Sequence, residues 1–302
     1  MILGMNVLVL LTRVRIPKMK VHAYTGDSLK VLKRFDACQF HTCVTSPPYL
    51  GLRSYGSIAG QLGEESAPEE FIRHLVDIFR EIHRVLRVDG TVWLNLGDSY
   101  GSSCKKVRTD LHKYKQGEHL AQGMVRNVNL ISDVPPKNLL GIPWRCALAL
   151  QADGWILRQD IIWQKTAPMP EPVKDRCVSS HEHIFLLSKS SKYYFDYRSI
   201  QEAAYGGKGD RRNKRDVWSF AAKYGEKGSK HLAKFPPALA IPCIKAGCPE
   251  GGLVLDPFAG SGTSGMVASA LGRNCVLIDI NPAYKKQQKY KVGKAFVDGD
   301  AK

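Results

Sequence analysis

The side chains best suited to chemistry on a flat heterocycle lie in one short turn, Thr45-Ser46-Pro47-Pro48-Tyr49. The two prolines exclude helix and sheet pairing, so the turn is expected to be rigid. Ser46 and the Pro47 carbonyl can accept hydrogen bonds from an exocyclic amine, while the Tyr49 ring can stack on the heterocycle. A structural turn around a core tyrosine would have the same composition, so the motif needs support from elsewhere in the chain.

A second group of residues, far along the chain, has the pattern of a nucleotide-binding turn. Its glycines, Gly260, Gly262 and Gly265, match the spacing of the dinucleotide motif and follow a buried apolar strand. Glycines let the backbone approach a ligand closely, and the helix that follows offers free N–H groups. Asp279 ends the next predicted strand, about 20 residues on, where a carboxylate can bind two ribose hydroxyls. We therefore predict a ribose-binding site here, with a plain strand-turn-helix as the alternative.

Asp256 opens this glycine turn and bears on the choice of cofactor. A carboxylate at the strand end, facing the turn, suits a cationic group better than a pyrophosphate. S-adenosylmethionine has a sulfonium and an ammonium group and no phosphate, so the residues favour it over NAD. An NAD-dependent dehydrogenase would also leave the Thr45–Tyr49 turn and the basic charge unexplained.

Strands and helices are predicted to alternate, and both turns follow strands. This alternation is typical of an α/β fold with a mostly parallel sheet covered on both faces. The lysine-rich run at 285–294, after the last predicted strand, is expected to be a solvated tail. The predicted strands are residues 21–24, 41–45, 91–96, 155–164, 182–188, 252–256 and 274–279, and the predicted helices are residues 28–34, 69–86, 138–152 and 263–271.

The 302 residues include 44 Lys and Arg against 28 Asp and Glu, which gives a net charge of +16 and a pI near 9.5. The ordinary glycine and proline content excludes a fibrous or disordered chain, and no apolar run has the length of a membrane span. Two stretches outside the predicted sheet, residues 105–115 and 205–234, hold most of the excess charge. Such charge favours a polyanionic partner, most often nucleic acid, and no membrane.

The eight cysteines are scattered without a CxxC pair, which favours a reducing compartment and disfavours a structural zinc site. The nearest cluster with metal-ligand chemistry is Cys177, His181 and His183, and no second ligand pair follows it, so no metal is expected. Residues 1–18 contain a short apolar run followed by basic residues. We expect them to be a translated leader or a misassigned start, dispensable for folding, with Met19 opening the domain.

Ser-Pro-Pro-Tyr after a strand, with Asp-Pro-Phe-Ala-Gly-Ser-Gly-Thr far downstream, resembles the amino-group DNA methyltransferases of the permuted (β) class. In this family of cytosine-N4 and adenine-N6 DNA methylases, the catalytic motif precedes the adenosylmethionine motif. The similarity runs from Val21 to Tyr284. It implies a Rossmann-like methyltransferase fold of seven strands, mostly parallel with a late antiparallel strand, in a single catalytic domain of residues 19–302. His181-Glu182 matches the start of that late strand, and Trp163-Gln164-Lys165 resembles a motif flanking the target-base pocket.

The resemblance also implies roles for individual residues. The catalytic residues are Ser46, Pro47, Pro48 and Tyr49. The residues implied to bind S-adenosylmethionine are Asp27, Phe235, Pro236, Asp256, Pro257, Phe258, Gly260, Gly262, Thr263 and Asp279. An insertion at residues 101–135 and a target-recognition region at 171–230 would face the DNA. The implied phosphate contacts are Lys105, Lys106, Arg108, Arg211, Arg212, Lys214 and Arg215.

The implied reaction is direct transfer of the methyl group to the N4 amine of a cytosine flipped out of double-stranded DNA. Neutral Ser46 favours cytosine, because relatives with Asp at that position are mostly adenine-N6 enzymes; adenine-N6 methylation is the alternative. A methyltransferase for RNA or protein usually has the cofactor motif first. A non-catalytic DNA-binding module, the alternative of another class, would not need Asp256, Gly260 and Asp279 together.

The expected setting is the cytoplasm of a prokaryotic or phage-infected host cell, near the nucleoid. A cognate restriction endonuclease is a candidate partner, alongside double-stranded DNA. Both expectations come from the resemblance, since neither is encoded in the composition of the chain.

Overall fold

The computed structural model describes residues 19–51, 58, 60–101, 134–168, 170–204, 210–221 and 236–301. Within them, the chain forms a nine-stranded sheet and a separate two-stranded ribbon. The strands are β1 (Val21–Thr25), β2 (Phe40–Thr45), β3 (Leu86–Leu96), β4 (Ile156–Lys165), β5 (His181–Ser188), β6 (Glu202–Ala203), β7 (Arg211–Arg212), β8 (Val217–Phe220), β9 (Leu253–Asp256), β10 (Asn274–Asp279) and β11 (Phe296–Asp298). The helices are α1 (Ser28–Leu32), α2 (Pro68–Val85), α3 (Ile142–Ala152), α4 (Pro237–Gly247), α5 (Thr263–Ala270) and α6 (Ala283–Val292).

The strands of the large sheet lie in the order β11-β1-β10-β9-β2-β3-β5-β4-β8. Those from β11 to β3 are parallel, whereas β5 runs antiparallel to both of its neighbours, β3 and β4. The prediction of a mostly parallel sheet with a late antiparallel strand is confirmed. Among the described residues the sheet has nine strands where seven were expected, because the short segments β11 and β8 extend its two edges.

The connections that leave β9 and β2 run in opposite directions across the sheet. β9 continues through α5 into β10 on one side, whereas β2 continues through α2 into β3 on the other. Neighbouring connections that diverge leave a crevice beyond the carboxyl ends of the strands, which is the usual ligand site of such sheets. The glycine turn and the Thr45–Tyr49 turn lie on the two sides of this crevice.

Helices cover both faces of the sheet. Apolar residues of α1, α2 and α3 pack into one core, and those of α4, α5 and α6 into the other. On α2 the apolar period Phe71, Leu75, Phe79 and Ile82 is fully buried, as its spacing predicted. Each such side chain stabilises the fold by about 1.5–3 kcal/mol. Within the described part of the chain, no helix is both long and apolar enough to span a bilayer.

Two predicted boundaries were wrong by four residues or more, both at chain reversals. β3 begins at Leu86, directly after α2, although the strand was expected to start only after Gly90. α3 begins at Ile142 and not at residue 138, because Gly141 at its start has a left-handed φ of 68° and Pro143 lies in the first turn.

The expectation of a solvated lysine-rich tail was also wrong. Residues 283–292 form α6, which packs on the sheet through Tyr284 and Val292. Lys285 of α6 forms ion pairs with Asp298 and Asp300. The charged face of α6 is therefore partly neutralised, and its buried face supports the glycine turn.

Candidate active site at the carboxyl edge of the sheet

The two predicted turns meet because β2 and β9 are neighbours in the sheet. Thr45 ends β2 and Asp256 ends β9. Thr45 Oγ1 donates a hydrogen bond of 2.7 Å to Asp256 Oδ1, across a sequence separation of 211 residues. This buried bond ties the serine turn to the glycine turn.

The carboxylate of Asp256 is turned into the fold, where it is only 6% exposed. Oδ1 also accepts a hydrogen bond from the Phe258 backbone at 3.1 Å, and Ser264 Oγ donates to Oδ2. Burial raises the pKa of Asp256 to about 6, although these donors act in the opposite direction. Asp256 thus shapes the turn and places a titratable negative charge at its base.

Two glycines in the turn adopt conformations that other residues rarely take. Gly260 has a φ of 48°, and Gly262, which precedes the first residue of α5, has a φ of 81°. Gly265 has a different role, because a Cβ there would lie 2.8 Å from Leu277 Cδ1 and 2.8 Å from Val21 Cγ1. The third glycine therefore lets α5 pack close against the sheet.

Asp279 faces the turn from the end of the adjacent strand, β10. Its Oδ2 accepts a hydrogen bond of 2.7 Å from the Gly260 backbone, and its Oδ1 accepts one of 2.9 Å from Asn281. Burial raises the pKa of Asp279 to about 6, and the nearby charge of Asp256 acts in the same direction. The glycine-to-carboxylate spacing seen in the sequence thus corresponds to a direct contact.

Helix α6 supports the glycine turn from below, a contact that the sequence motifs did not reveal. The buried Gln288 donates from Nε2 to the Gly260 carbonyl at 2.8 Å. Lys291 Nζ donates to Ser261 Oγ at 2.6 Å and to Thr263 Oγ1 at 3.1 Å. In the sequence, this contact was indicated only by Gln288 itself, an uncharged polar residue within a run of lysines, at a helical spacing that suits burial.

The loop after β1 joins the same edge and contains Asp27. The backbone N–H of Gly26 donates to the Asp279 carbonyl at 2.9 Å, and Ser28 Oγ donates to the Pro257 carbonyl at 2.6 Å. Asp27 itself is half-buried and caps α1 by accepting a hydrogen bond from Lys30. The residues implied to bind the cofactor on β1, β9 and β10 therefore lie together.

The remaining residues implied to bind the cofactor are only partly described. Phe235 lies outside the described residues, and the buried Pro236 immediately precedes α4. The far end of α4 packs near the start of β2, because a Cβ on Gly247 would lie 2.7 Å from Thr42 Oγ1. α4 therefore runs against the strand direction, and its beginning at Pro236 points toward the carboxyl edge.

In the serine turn, Pro47 is buried and Ser46 and Tyr49 are half-buried. The Tyr49 ring lies against Gly97, where a Cβ would come within 2.6 Å of the ring carbon Cε2. Gly97 directly follows β3, and Tyr49 lies in the turn after β2. Because Gly97 has no side chain, it leaves room for the Tyr49 ring.

A network of polar side chains surrounds the Tyr49 hydroxyl. Tyr49 donates to Glu182 Oε2 at 2.8 Å, and Asn95 Nδ2 donates to the same oxygen at 3.1 Å. Lys165 Nζ donates to Glu182 Oε1 at 2.5 Å. Because β5 runs antiparallel, Glu182 near its start lies at the same edge as the carboxyl ends of β3 and β4. The resemblance placed Lys165 in a motif flanking the target-base pocket, whereas Glu182 was predicted only as the start of a strand.

The predicted DNA contacts after residue 210 divide into two kinds. Arg212, Lys214 and Arg215 all surround the carboxylate of Glu202. Arg212 and Lys214 are 31% and 24% exposed in this cluster, whereas Arg215 is 67% exposed. Arg211 is exposed and donates to the Gln201 carbonyl. The other predicted contacts, Lys105, Lys106 and Arg108, lie outside the described residues.

The candidate metal cluster of the sequence, Cys177, His181 and His183, has one member that pairs with a carboxylate. His183 Nδ1 lies 3.0 Å from Asp160 Oδ1, so its ring has a carboxylate partner on β4. In the part of the chain that the structure describes, no group of three His, Cys, Asp or Glu side chains could hold a metal ion.

The fold and the arrangement of the two turns define the class of protein, as a comparison with solved structures shows. A structure of the PvuII DNA methyltransferase (cytosine-N4-specific) superposes with a TM-score of 0.66 at 19% identity, over 94% of this chain and 88% of that one. A putative DNA modification methylase from Thermus thermophilus, complexed with S-adenosyl-L-methionine, gives a TM-score of 0.61 at 21% identity, over 94% and 100%. These similarities show that the fold is the Rossmann-like fold of methyltransferases.

The chain belongs to the DNA methylase family, whose model matches residues 40–290. It is 45% identical over 267 residues to the type II methyltransferase M.SmaI of Serratia marcescens, which covers 88% of this chain and 89% of that protein. It is also 45% identical to the type II methyltransferase M.Cfr9I of Citrobacter freundii, over 86% of this chain and 84% of that protein. The prediction of a DNA methyltransferase is confirmed.

Proposed function

We propose that this protein transfers the methyl group of S-adenosylmethionine to the N4 amine of a cytosine flipped out of double-stranded DNA. The observation that carries the proposal is the 2.7 Å bond between Thr45 Oγ1 and Asp256 Oδ1. It brings a proline-locked serine turn and a glycine turn to one edge of the sheet. Two ligands, each held at one of these turns, would therefore meet in the crevice between them.

The two carboxylates at this edge support a cationic cofactor. Asp256 and Asp279 end adjacent strands, and each has a pKa near 6, so both are mostly ionised at neutral pH. A pyrophosphate brought to this turn would be repelled, whereas a sulfonium and an ammonium group would be attracted. When bound, S-adenosylmethionine supplies an activated methyl group.

In this proposal the cofactor lies along the ends of β1, β9 and β10. Asp279 accepts hydrogen bonds from the ribose hydroxyls, and Asp256 contributes negative charge near the methionine part. The positive φ angles of Gly260 and Gly262 keep the backbone close to the ligand. The other proposed contacts are Asp27, Phe235, Pro236, Pro257, Phe258 and Thr263.

The serine turn would receive the target base. Ser46 and the Pro47 carbonyl accept hydrogen bonds from the N4 amine, which draws its lone pair out of conjugation and toward the methyl group. Flipping the base costs a few kcal/mol, of which stacking on Tyr49 recovers about 1–3 kcal/mol. Cys43, on the strand before the turn, is fully buried with its pKa raised far above the ordinary value, which supports transfer without a cysteine intermediate.

Neutral Ser46 supports cytosine as the target, and the PvuII enzyme of similar fold is a cytosine-N4-specific methyltransferase. Within a catalytic domain of residues 19–302, the insertion 101–135 and the target-recognition region 171–230 would contact the DNA. In that region the exposed Arg211 and Arg215 would bind phosphates.

The two relatives reported above are type II methyltransferases, which supports a cytoplasmic setting in a prokaryotic cell, near the nucleoid. It also supports a cognate restriction endonuclease as a partner. The prediction is that DNA methylated by this protein resists one type II endonuclease that cleaves the unmethylated DNA. Cleavage of both samples by every endonuclease tested would contradict the pairing.

The direct test is incubation with labelled S-adenosylmethionine and duplex DNA, followed by digestion to nucleosides and mass analysis. The expected product is N4-methylcytosine, formed about 100- to 1,000-fold more slowly by the Ser46→Ala variant. N6-methyladenine as the sole product would replace cytosine by adenine in the proposal. Cofactor binding without label in any DNA would contradict the proposed reaction altogether.

A further inference from the structure

A serine hydroxyl can both donate and accept hydrogen bonds, but the proposed reaction needs Ser46 as an acceptor. The N4 amine donates to it, so the proton of Ser46 has to point elsewhere. An ionised aspartate at this position would present no such choice, because it has no proton to direct. A neutral serine therefore needs a neighbour that takes its proton.

The structure places such a neighbour beside Ser46. Ser46 Oγ lies 3.4 Å from the Tyr49 hydroxyl, and that hydroxyl lies 2.8 Å from Glu182 Oε2. The phenol has one proton, and a carboxylate at 2.8 Å binds it more strongly than the amide oxygen of Asn95 at 3.3 Å. When Tyr49 donates to Glu182, its oxygen keeps lone pairs that face Ser46.

Glu182 is itself held in one orientation. Lys165 Nζ binds Oε1, and Asn95 Nδ2 bridges Oε2 and the His183 carbonyl, at 3.1 Å to each. The side chains of Lys165 and Glu182 are 21% and 13% exposed, so water competes little with these bonds. Lys165 takes one carboxylate oxygen, which leaves the other for Tyr49.

We propose that Glu182 is a positioning residue: by binding the Tyr49 proton, it directs the hydroxyl proton of Ser46 to Tyr49, so that Ser46 offers only lone pairs to the target amine. The inference rests on the proposed function. It gives Tyr49 a second role besides stacking, and it gives the half-buried ion pair of Glu182 and Lys165 a function in the chemical step.

Glu182→Gln is the sharpest test, because an amide in place of the carboxylate can donate to Tyr49. The hydrogen bonds from Ser46 to Tyr49 and from Tyr49 to residue 182 would then reverse direction. We expect kcat to fall by about 10- to 100-fold, with KM for DNA and for S-adenosylmethionine within about threefold of wild type. A loss confined to KM, or a wild-type kcat, would overturn the proposal.

Two further backgrounds separate positioning from a general loss of structure. In Ser46→Asp, where the acceptor has no proton, Glu182→Gln should lower kcat by less than about threefold, provided that the single variant methylates. Tyr49→Phe already lacks the hydroxyl that links Ser46 to Glu182. In that background, adding Glu182→Gln should likewise lower kcat by less than about threefold. Equal losses from Glu182→Gln in the wild-type and Tyr49→Phe backgrounds would contradict the inference.

Asp160→Asn is the matched control. Asp160 is also a half-buried carboxylate on β4, but it pairs with His183 of β5 and takes no part in the hydrogen bonds that link Ser46, Tyr49 and Glu182. It should keep wild-type kcat, and thermal melts should show every variant folded at the assay temperature. If the wild-type protein labels no DNA, the proposed function fails; if the wild type is active and Glu182→Gln equals it, only this inference fails.

Discussion

The two halves of the site are built in different ways. On the cofactor side, several polar contacts join side chains to the backbone of the glycine turn, as in the bonds from Gly260 to Asp279 and from Gln288 to Gly260. On the base side, they are between side chains from separate strands, as in the cluster of Tyr49, Glu182 and Lys165. The cofactor half is therefore a loop whose backbone is held in shape, and the base half is a network of side chains contributed by separate strands.

This difference predicts different sensitivities to substitution. A loop held by backbone bonds binds a ligand through its shape, so a change there should affect cofactor affinity. A network of buried side chains orients reacting groups, so a change there should affect the chemical step with little change in binding. The predictions below separate the two halves by their effects on Kd and kcat.

The largest effect is expected for Ser46→Ala, which removes the side-chain acceptor for the amine. We expect kcat to fall by about 100- to 1,000-fold, while the Kd for S-adenosylmethionine stays near wild type. Single-turnover methylation and calorimetric binding of the cofactor would measure the two quantities. A variant that loses cofactor affinity to the same extent would show that the two halves are not separate.

Gly97→Ala should give the next largest loss, through the position of Tyr49. A Cβ there would lie 2.6 Å from the Tyr49 ring, so the ring must move. A displacement of about 1 Å predicts a fall in kcat of about 100-fold. The measurement is kcat and cofactor Kd on the same preparation.

Gly265→Ala is the matched substitution on the cofactor side. Its Cβ would lie 2.8 Å from Leu277 and Val21, which would move α5 and the glycine turn with it. We expect a weaker cofactor Kd and a lower melting temperature in this variant, in contrast to Gly97→Ala. The same pattern in both variants would argue against distinct halves.

Asp279→Asn should weaken cofactor binding by about 10- to 100-fold, because a charged acceptor for the ribose hydroxyls is replaced by a neutral one. The wild-type affinity should also rise with pH up to about 6, the value to which burial raises the pKa of Asp279. Asp279→Asn should show a shallower rise. Calorimetric titrations between pH 5 and pH 8 would measure it, with the exposed Asp36→Asn as the control.

The same carboxyl affects the stability of the ligand-free protein with the opposite sign. A pKa raised on folding contributes stability that is present below the unfolded value of 3.8 and is lost as pH rises through about 6. Between these values the ligand-free protein should become less stable while the cofactor binds more tightly. Asp256, whose pKa burial also raises to about 6, adds to the same trend. Melts at matched pH would detect it, and a rise in stability over this window would contradict it.

The sequence predicted the cofactor side better than the base side, for a physical reason. Gly260 and Asp279 lie in consecutive elements, so their spacing along the chain reports their contact in space. Glu182, Lys165 and Asn95 are single polar residues on three strands, without a spacing that marks them as a group. They meet because β5 lies antiparallel between β3 and β4, and strand order depends on packing of the whole sheet.

The smallest expected effect concerns the DNA-facing arginines near residue 211. Arg212 and Lys214 are partly buried against Glu202, so their charge is partly balanced within the protein. Arg211 and Arg215 are exposed, although Arg215 also contacts Glu202. Arg211→Ala with Arg215→Ala should weaken DNA binding about 3- to 10-fold and reduce the slope of log Kd against log salt by about 1–2. Arg212→Ala with Lys214→Ala, as the matched pair, should change the slope less and the melting temperature more. Fluorescence anisotropy across a salt series would measure both slopes, and equal slopes for the two pairs would show that the Glu202 cluster opens when DNA binds.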